Sequence, residues 1–332
     1  MRPWAHRVRP FRRCQRPSRC VPGGRSVFRR FIFAALLLLS MSAVRAQVQV
    51  ATVRTQPWGL HESIRREAYA SIDRGRNYLS SRQAAGGLWA LETGAWSCFP
   101  AMAFTGDSGA AMPTLRRALD AAATAVDRSL TRMLTSAETV ELARGCLLLQ
   151  VQGFRDDRVV RAVRRLSLVR LDSFDAGEAA LLLDVRGWEG RTSGDPEWGA
   201  VVAKTMSMRN PTVGTVALAG LARLERAGVE AARNAALAHL RWLAGHAPVT
   251  SEDAWWLVRF LDQLSPAALH DAGFPLDWRQ RVADALIARQ RRDSRTGFGY
   301  WRLPGDESDA SGDGALRETT FAVMVLNHVL QE

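Results

Sequence analysis

The sequence predicts an all-α protein, an α6/α6 toroid in which six long amphipathic helices form an outer layer around six shorter apolar ones. Three observations predict it. Helix-period patterns fill the chain from residue 64 onward, while the sustained apolar–polar alternation that marks strands is hard to find. The segments alternate in kind, each arginine-rich amphipathic stretch being followed by one with few charges beyond its first turn. Glycines fall where helix ends are needed, at Gly106, Gly153, Gly187 and Gly245.

The chain opens with a leader. Residues 1–46 run from arginines into the apolar stretch Phe31–Leu39 and then into small residues ending Val44-Arg45-Ala46, the order of a secretory signal peptide. The expected location is therefore periplasmic or secreted. The apolar stretch is short of the roughly 20 residues that span a bilayer, so no stable membrane insertion is expected after cleavage. Arg29-Arg30-Phe31 also fits the twin-arginine pattern, leaving both export routes open. The 28 residues before Arg29 are long for a leader and suggest a later start, at Val21 or Val27, without Cys14 and Cys20. Residues 1–46 hold 11 of the 45 basic residues and no acidic one, so 34 basic residues face 33 acidic ones in the remainder, a balance of about +1. The basic character belongs to the leader, which argues against nucleic acid as a partner.

Residues 47–63 read as a linker, and 64–332 as the helical domain. The amphipathic segments are residues 64–83, 114–134, 156–169, 196–208, 228–245 and 277–292, each with one apolar stripe. The apolar segments are Ala95–Thr105, Ala137–Val151, Phe174–Val185, Pro211–Leu224, Glu252–Leu264 and Arg317–Leu330. A helix apolar nearly all round must be buried on all sides. Helix starts agree: Ser136 precedes Glu138, Asp175 precedes Glu178, Ser251 precedes Glu252 and Asp253, and Pro211 suits a first turn. A solenoid of helix pairs would show the same alternation, but six pairs favour a closed ring.

The first pair carries a motif. Arg74-Gly75-Arg76-Asn77-Tyr78-Leu79-Ser80-Ser81-Arg82-Gln83 is followed by Gly87-Leu88-Trp89, and a degenerate copy runs from Arg281 through Leu286 and Gln290 to Gly299-Tyr300-Trp301. In the copy, Ala285 fills the aromatic slot and Val282 the glycine slot. This stretch resembles the QW repeat of the squalene and hopene cyclases, and through it the terpenoid cyclases, protein prenyltransferase β subunits and complement-type thioester domains, all toroids. The resemblance implies a structural role, in which the glutamine caps the next helix and the tryptophan stacks beside it. Arg74, Gly75, Tyr78, Gln83, Gly87, Trp89, Gln290, Gly299 and Trp301 are the residues it marks as bracing.

The chemistry of those families is absent from the sequence. The Asp-x-Asp-Asp acid motif of class II cyclases does not occur, and Asp306-Glu307-Ser308-Asp309 fails at its third position. Outside the leader only Cys98 and Cys146 remain, too few for a prenyltransferase-type zinc site, and neither begins a Cys-x-Glu-Gln thioester motif. No metal and no cofactor is expected. Cys98 and Cys146 fall on consecutive inner segments, and two buried free thiols are favoured over a disulfide.

In such a ring the inner helices start at one mouth, where Glu138, Asp175, Glu178, Glu252, Asp253, Trp255, Trp256 and Glu318 gather. First-turn acids are ordinary partners of the helix dipole, so catalytic residues are not assigned; Asp253, Glu318, Asp309 and Glu178 are the candidates. The positive helix ends there favour an anionic or polar ligand. Trp255 and Trp256 point about 100° apart on a helix, so they are the candidate ligand contacts, with one facing the cavity, unless both fill a wide inner core, the reading slightly favoured. The long acidic loop Arg302–Leu316 echoes an EF-hand at Asp309 and Asp313 but has Thr320 where a glutamate is needed. The histidines show no ligand spacing.

Three functions follow. The leading expectation is an exported, cyclase-like but non-catalytic toroid that binds an apolar or glycan ligand, or a partner, in its central cavity. The alternatives are an isoprenoid cyclase-type enzyme and a carbohydrate-active hydrolase or lyase using mouth carboxylates.

Overall fold

Helices carry the fold, and strands among the described residues are confined to four two-residue segments. The computed structural model describes residues 60–91, 96–105, 112–154, 157–187, 210–227, 238–303, 305 and 312–331, all within one unit, Gln56–Glu332. The leader, most of the linker, the amphipathic segment 196–208 and the candidate Asp309 lie outside the described residues. Among the described residues no helix is long and apolar enough to cross a membrane.

The helices are α1 (Glu62–Arg82), α2 (Met112–Ser129), α3 (Ser136–Val151), α4 (Asp157–Leu166), α5 (Ala176–Gly187), α6 (Val213–Ala227), α7 (helical residues 238–244), α8 (Ser251–Asp262), α9 (Pro266–Asp271), α10 (Trp278–Arg289) and α11 (Asp313–Leu330). Their two characters match the pattern. Helix α1 buries Ala68, Ser71, Ile72, Gly75, Tyr78 and Leu79, one stripe at helical spacing, with its arginine-rich face toward water. Helices α3, α8 and α11 are enclosed on most sides, and α11 is buried without a break from Glu318 to Leu326.

The segment Ala95–Thr105 is not the expected α-helix. Trp96–Ser97 (β2) pairs antiparallel with Trp89–Ala90 (β1), and only Phe99–Phe104 winds, as a 3₁₀ turn with Pro100 near its start. Strand pairing holds the first half extended, and the remainder is too short for more than a tight turn. Arg291–Arg292 (β3) and Gly299–Tyr300 (β4) form a second small ladder. Helix α9 is a further element that the pattern did not reveal; Ser265 caps it and Pro266 opens it.

Helix starts shift by a residue or two from expectation. Thr135, not Ser136, caps α3 in a capping box with Glu138, and Thr250, not Ser251, caps α8 with Asp253. Pro211 precedes the first turn of α6, whose cap is Thr212, accepting the Thr215 N–H at 3.2 Å. Asp175 and Glu178 form a reciprocal box at α5 as expected, at 2.8 and 3.1 Å.

Contacts follow a regular order. Among the buried segments, α3 touches α5, α5 touches α6, α6 touches α8 and α8 touches α11, while α11 meets the 3₁₀ segment, which returns to α3. The amphipathic helices lie against these: α2 on α3, α4 on α3 and α5, and α1 and α10 on α11 and on each other.

The two segments that resemble QW repeats have matching geometry. Gln83 donates to the Thr114 carbonyl at 2.9 Å and accepts from Arg117 at 2.7 Å; Gln290 donates to the Ser71 carbonyl at 2.8 Å and accepts from Arg74 at 2.7 Å. Each glutamine thus grips a carbonyl and the arginine three residues on, in the neighbouring helix. This corrects the expected cap on free N–H groups. Ser71 lies in the middle of α1, where N–H groups are already paired, but a helix carbonyl keeps a second lone pair for an amide.

Both tryptophans are fully buried and donate at 2.7 Å to the carbonyl four residues before their glutamine, Trp89 to Leu79 and Trp301 to Leu286. Those carbonyls belong to last turns and have no partner within the helix. Close approach explains two glycines: a Cβ at Gly75 would lie 2.7 Å from Val323 and 3.0 Å from Trp301, and one at Gly299 would lie 2.5 Å from Gln290. Gly87 has φ of +86° and faces the Arg117 carbonyl. Tyr78 is buried and stacks on Tyr300 with centroids 5.5 Å apart.

Candidate functional site

The starts of α5, α6, α8 and α11 surround a pocket of about 420 Å³. Its wall includes Asp175, Gly177, Thr215, Glu252, Trp256 and Arg317. Each is there because a helix begins there: first turns carry the acids and hydroxyls that satisfy unpaired N–H groups, and in this fold several first turns meet.

The acids predicted for catalysis are held in that capping role. Asp253, 6% exposed, accepts from Thr212 Oγ1 at 2.8 Å, from the Gly214 N–H at 2.9 Å and from the Thr250 N–H at 3.3 Å, so it caps α6 as well as its own helix. Glu318, 2% exposed, accepts the Ser251 N–H at 2.9 Å and faces Arg289 at 3.5 Å. Glu178 is bound into the Asp175 box. Glu138 pairs with Arg132 at 2.8 Å, and the Thr135 backbone N–H holds its carboxyl below the usual range.

Glu252 differs. Burial pushes its carboxyl above the usual carboxylate range, a push that Arg317, bonded to Oε2 at 2.5 Å, only partly offsets. No sequence signal separated Glu252 from its neighbours, because its burial depends on α5 and α11 closing over it.

Both tryptophans line a deeper space among the buried helices, and Trp256 also lines the pocket. Trp256 is almost fully buried and lines the pocket, while Trp255 is partly buried and meets His328 edge-on at 5.7 Å. Arg259 lies over both rings, 5.1 Å from Trp256 and 5.8 Å from Trp255. It also forms a two-pronged pair with Asp184 of α5 at 2.7 and 3.3 Å. Deeper among the buried helices the space shrinks to about 110 Å³, lined by Met102, Leu181, Trp255 and Phe321 together with the Arg259–Asp184 pair.

A second cavity, about 460 Å³, lies between α2 and α3 beside Leu88, Leu91 and Cys98. Its charged groups include Arg132, Glu138, Glu141, Arg144 and Glu178, all paired with protein atoms. Cys98 and Cys146 are free and buried, as expected, and burial pushes the Cys146 thiol up to about 12. Among the described residues no group of three or more His, Cys, Asp or Glu side chains could hold a metal ion.

No family model matches the chain, and no curated protein matches it.

Proposed function

We propose that this chain is an exported protein built as an α6/α6 toroid of the squalene-cyclase-repeat type, and that it binds a polar ligand at the mouth where its inner helices begin, without performing isoprenoid chemistry. The order of helix contacts, which returns to its start through the 3₁₀ segment, supports the closed ring. Matching QW elements at the ends of α1 and α10, two helices in contact, support the resemblance. The signal-peptide order of residues 1–46 supports export.

One observation carries the binding reading: Asp253, Glu318 and Glu178 are engaged as caps while a pocket of about 420 Å³ stands open beside them. Its size suits a small molecule. The deeper space of about 110 Å³ has room for only a few waters and is walled in part by the Arg259–Asp184 pair, so a long hydrocarbon would have to displace a charged bridge. Carboxylates at the mouth also cancel the attraction of helix ends for anions, which turns the expectation toward a neutral polar ligand.

Incubation of the mature protein with squalene, farnesyl diphosphate and aryl glycosides is expected to give no product above the uncatalysed background by mass spectrometry. Turnover of squalene or farnesyl diphosphate would restore the isoprenoid enzyme, and turnover of a glycoside the hydrolase.

A further inference from the structure

Three polar atoms converge above Gly177, the second residue of α5. A Cβ on that residue would lie 3.4 Å from Glu252 Oε1, 3.5 Å from Asp175 Oδ1 and 4.0 Å from Trp256 Nε1. Arg317 takes the other oxygen of Glu252, leaving Oε1 turned toward this point. Asp175 Oδ1 accepts the Glu178 N–H and retains a lone pair. Trp256 is 8% exposed, and among the described residues its indole N–H donates to no acceptor. The indole N–H is the one donor of the three and opens on the pocket, where the oxygen of a water or of a ligand hydroxyl can accept it.

The donor and acceptor pattern selects the ligand. An anion would meet two carboxylates. An ammonium group has only donors and would oppose the indole N–H. A hydroxyl both donates and accepts, so one hydroxyl can give its proton to a carboxylate while receiving the indole N–H. Arg259 covers one face of Trp256, and the ring atom turned toward Gly177 is Nε1 on its edge, so recognition there runs through hydrogen bonds.

We propose that Asp175, Glu252 and Trp256 form a hydroxyl-binding subsite for a neutral saccharide. The assignment rests on the reading that this pocket is a binding site, and names the chemistry of its occupant. Glycine at 177 leaves the convergence point open. An alanine methyl there would stand at ordinary contact distance from all three atoms, so it fills the subsite without disturbing the helix.

The test is saturation-transfer NMR on the mature protein with glucose, N-acetylglucosamine, maltose and cellobiose, and with spermidine and inorganic phosphate as probes of other chemistry. At least one saccharide is expected to bind, Gly177→Ala to abolish binding while unfolding at or above the parent temperature, and Trp256→Phe and Glu252→Gln each to weaken it about tenfold. Saccharide binding that survives Gly177→Ala would overturn the subsite. Spermidine or phosphate binding in place of the saccharides, lost in Gly177→Ala, would overturn the hydroxyl assignment while leaving the pocket as a binding site. Silence from every probe would overturn the assignment too, and the binding reading would then stand or fall on whether the native protein carries any adduct.

Discussion

Replacing Trp301 with alanine is expected to cost about 4 kcal/mol, near the middle of the range for a fully buried tryptophan, and to lower Tm by about 10 °C. Two connections fail together. The indole N–H releases the Leu286 carbonyl in the last turn of α10, and the ring leaves an opening against Gly75 of α1, while the backbone N–H of residue 301 keeps its bond to the Thr319 hydroxyl at 3.0 Å. Trp301→Phe should recover most of the packing and none of the carbonyl bond, so its Tm should fall between the two. Thermal unfolding followed by circular dichroism checks both. A loss of less than about 1 kcal/mol in the alanine variant would mean that α1, α10 and α11 are held by other contacts.

Asp253→Ala is expected to cost about 3 kcal/mol, because removal of one carboxylate leaves donors from two helices unpaired in a buried place. The hydroxyl of Thr212 and the Gly214 N–H lose their acceptor at α6, and the Thr250 N–H loses its acceptor at α8. Asp253→Asn keeps one acceptor oxygen and should recover a substantial part. Chemical denaturation of the three proteins separates a cap from a catalytic acid. A cap loses stability in the order alanine, asparagine, parent, whereas a catalytic acid replaced by asparagine keeps its stability and loses only turnover.

Much of the helical pattern was legible because burial sets period directly: a helix enclosed on all sides can carry few charges, and α3, α8 and α11 show it. The segment around Phe99–Phe104 was misread because apolar composition does not distinguish a full helix from a strand end followed by a tight turn. The caps at Thr135 and Thr250 had a signal in Thr-x-x-Glu and Thr-x-x-Asp, but each threonine is followed by a serine with nearly the same preference.

The glutamines of the QW elements could be found, and their partners could not, because Arg117 and Arg74 lie on other helices. A trace exists in the shared spacing of Ser71-x-x-Arg74-Gly75 and Thr114-x-x-Arg117-Ala118. Asp175, Glu252 and Trp256 were named among the residues of the mouth, but their approach to one point was not legible. Glu252 and Asp175 belong to first turns 77 positions apart in the chain, and only the approach of α5 to α8 around Gly177 makes them neighbours.

Native mass spectrometry of the protein purified from its own host, beside the Gly177→Ala variant prepared identically, tests the central claim most directly. A hydrophilic adduct on the parent, absent from the variant and extractable intact, is the result expected of a binding protein whose ligand sits at the inner-helix mouth. A hydrocarbon adduct, or one equally abundant on the variant, would contradict it and move the site away from Gly177.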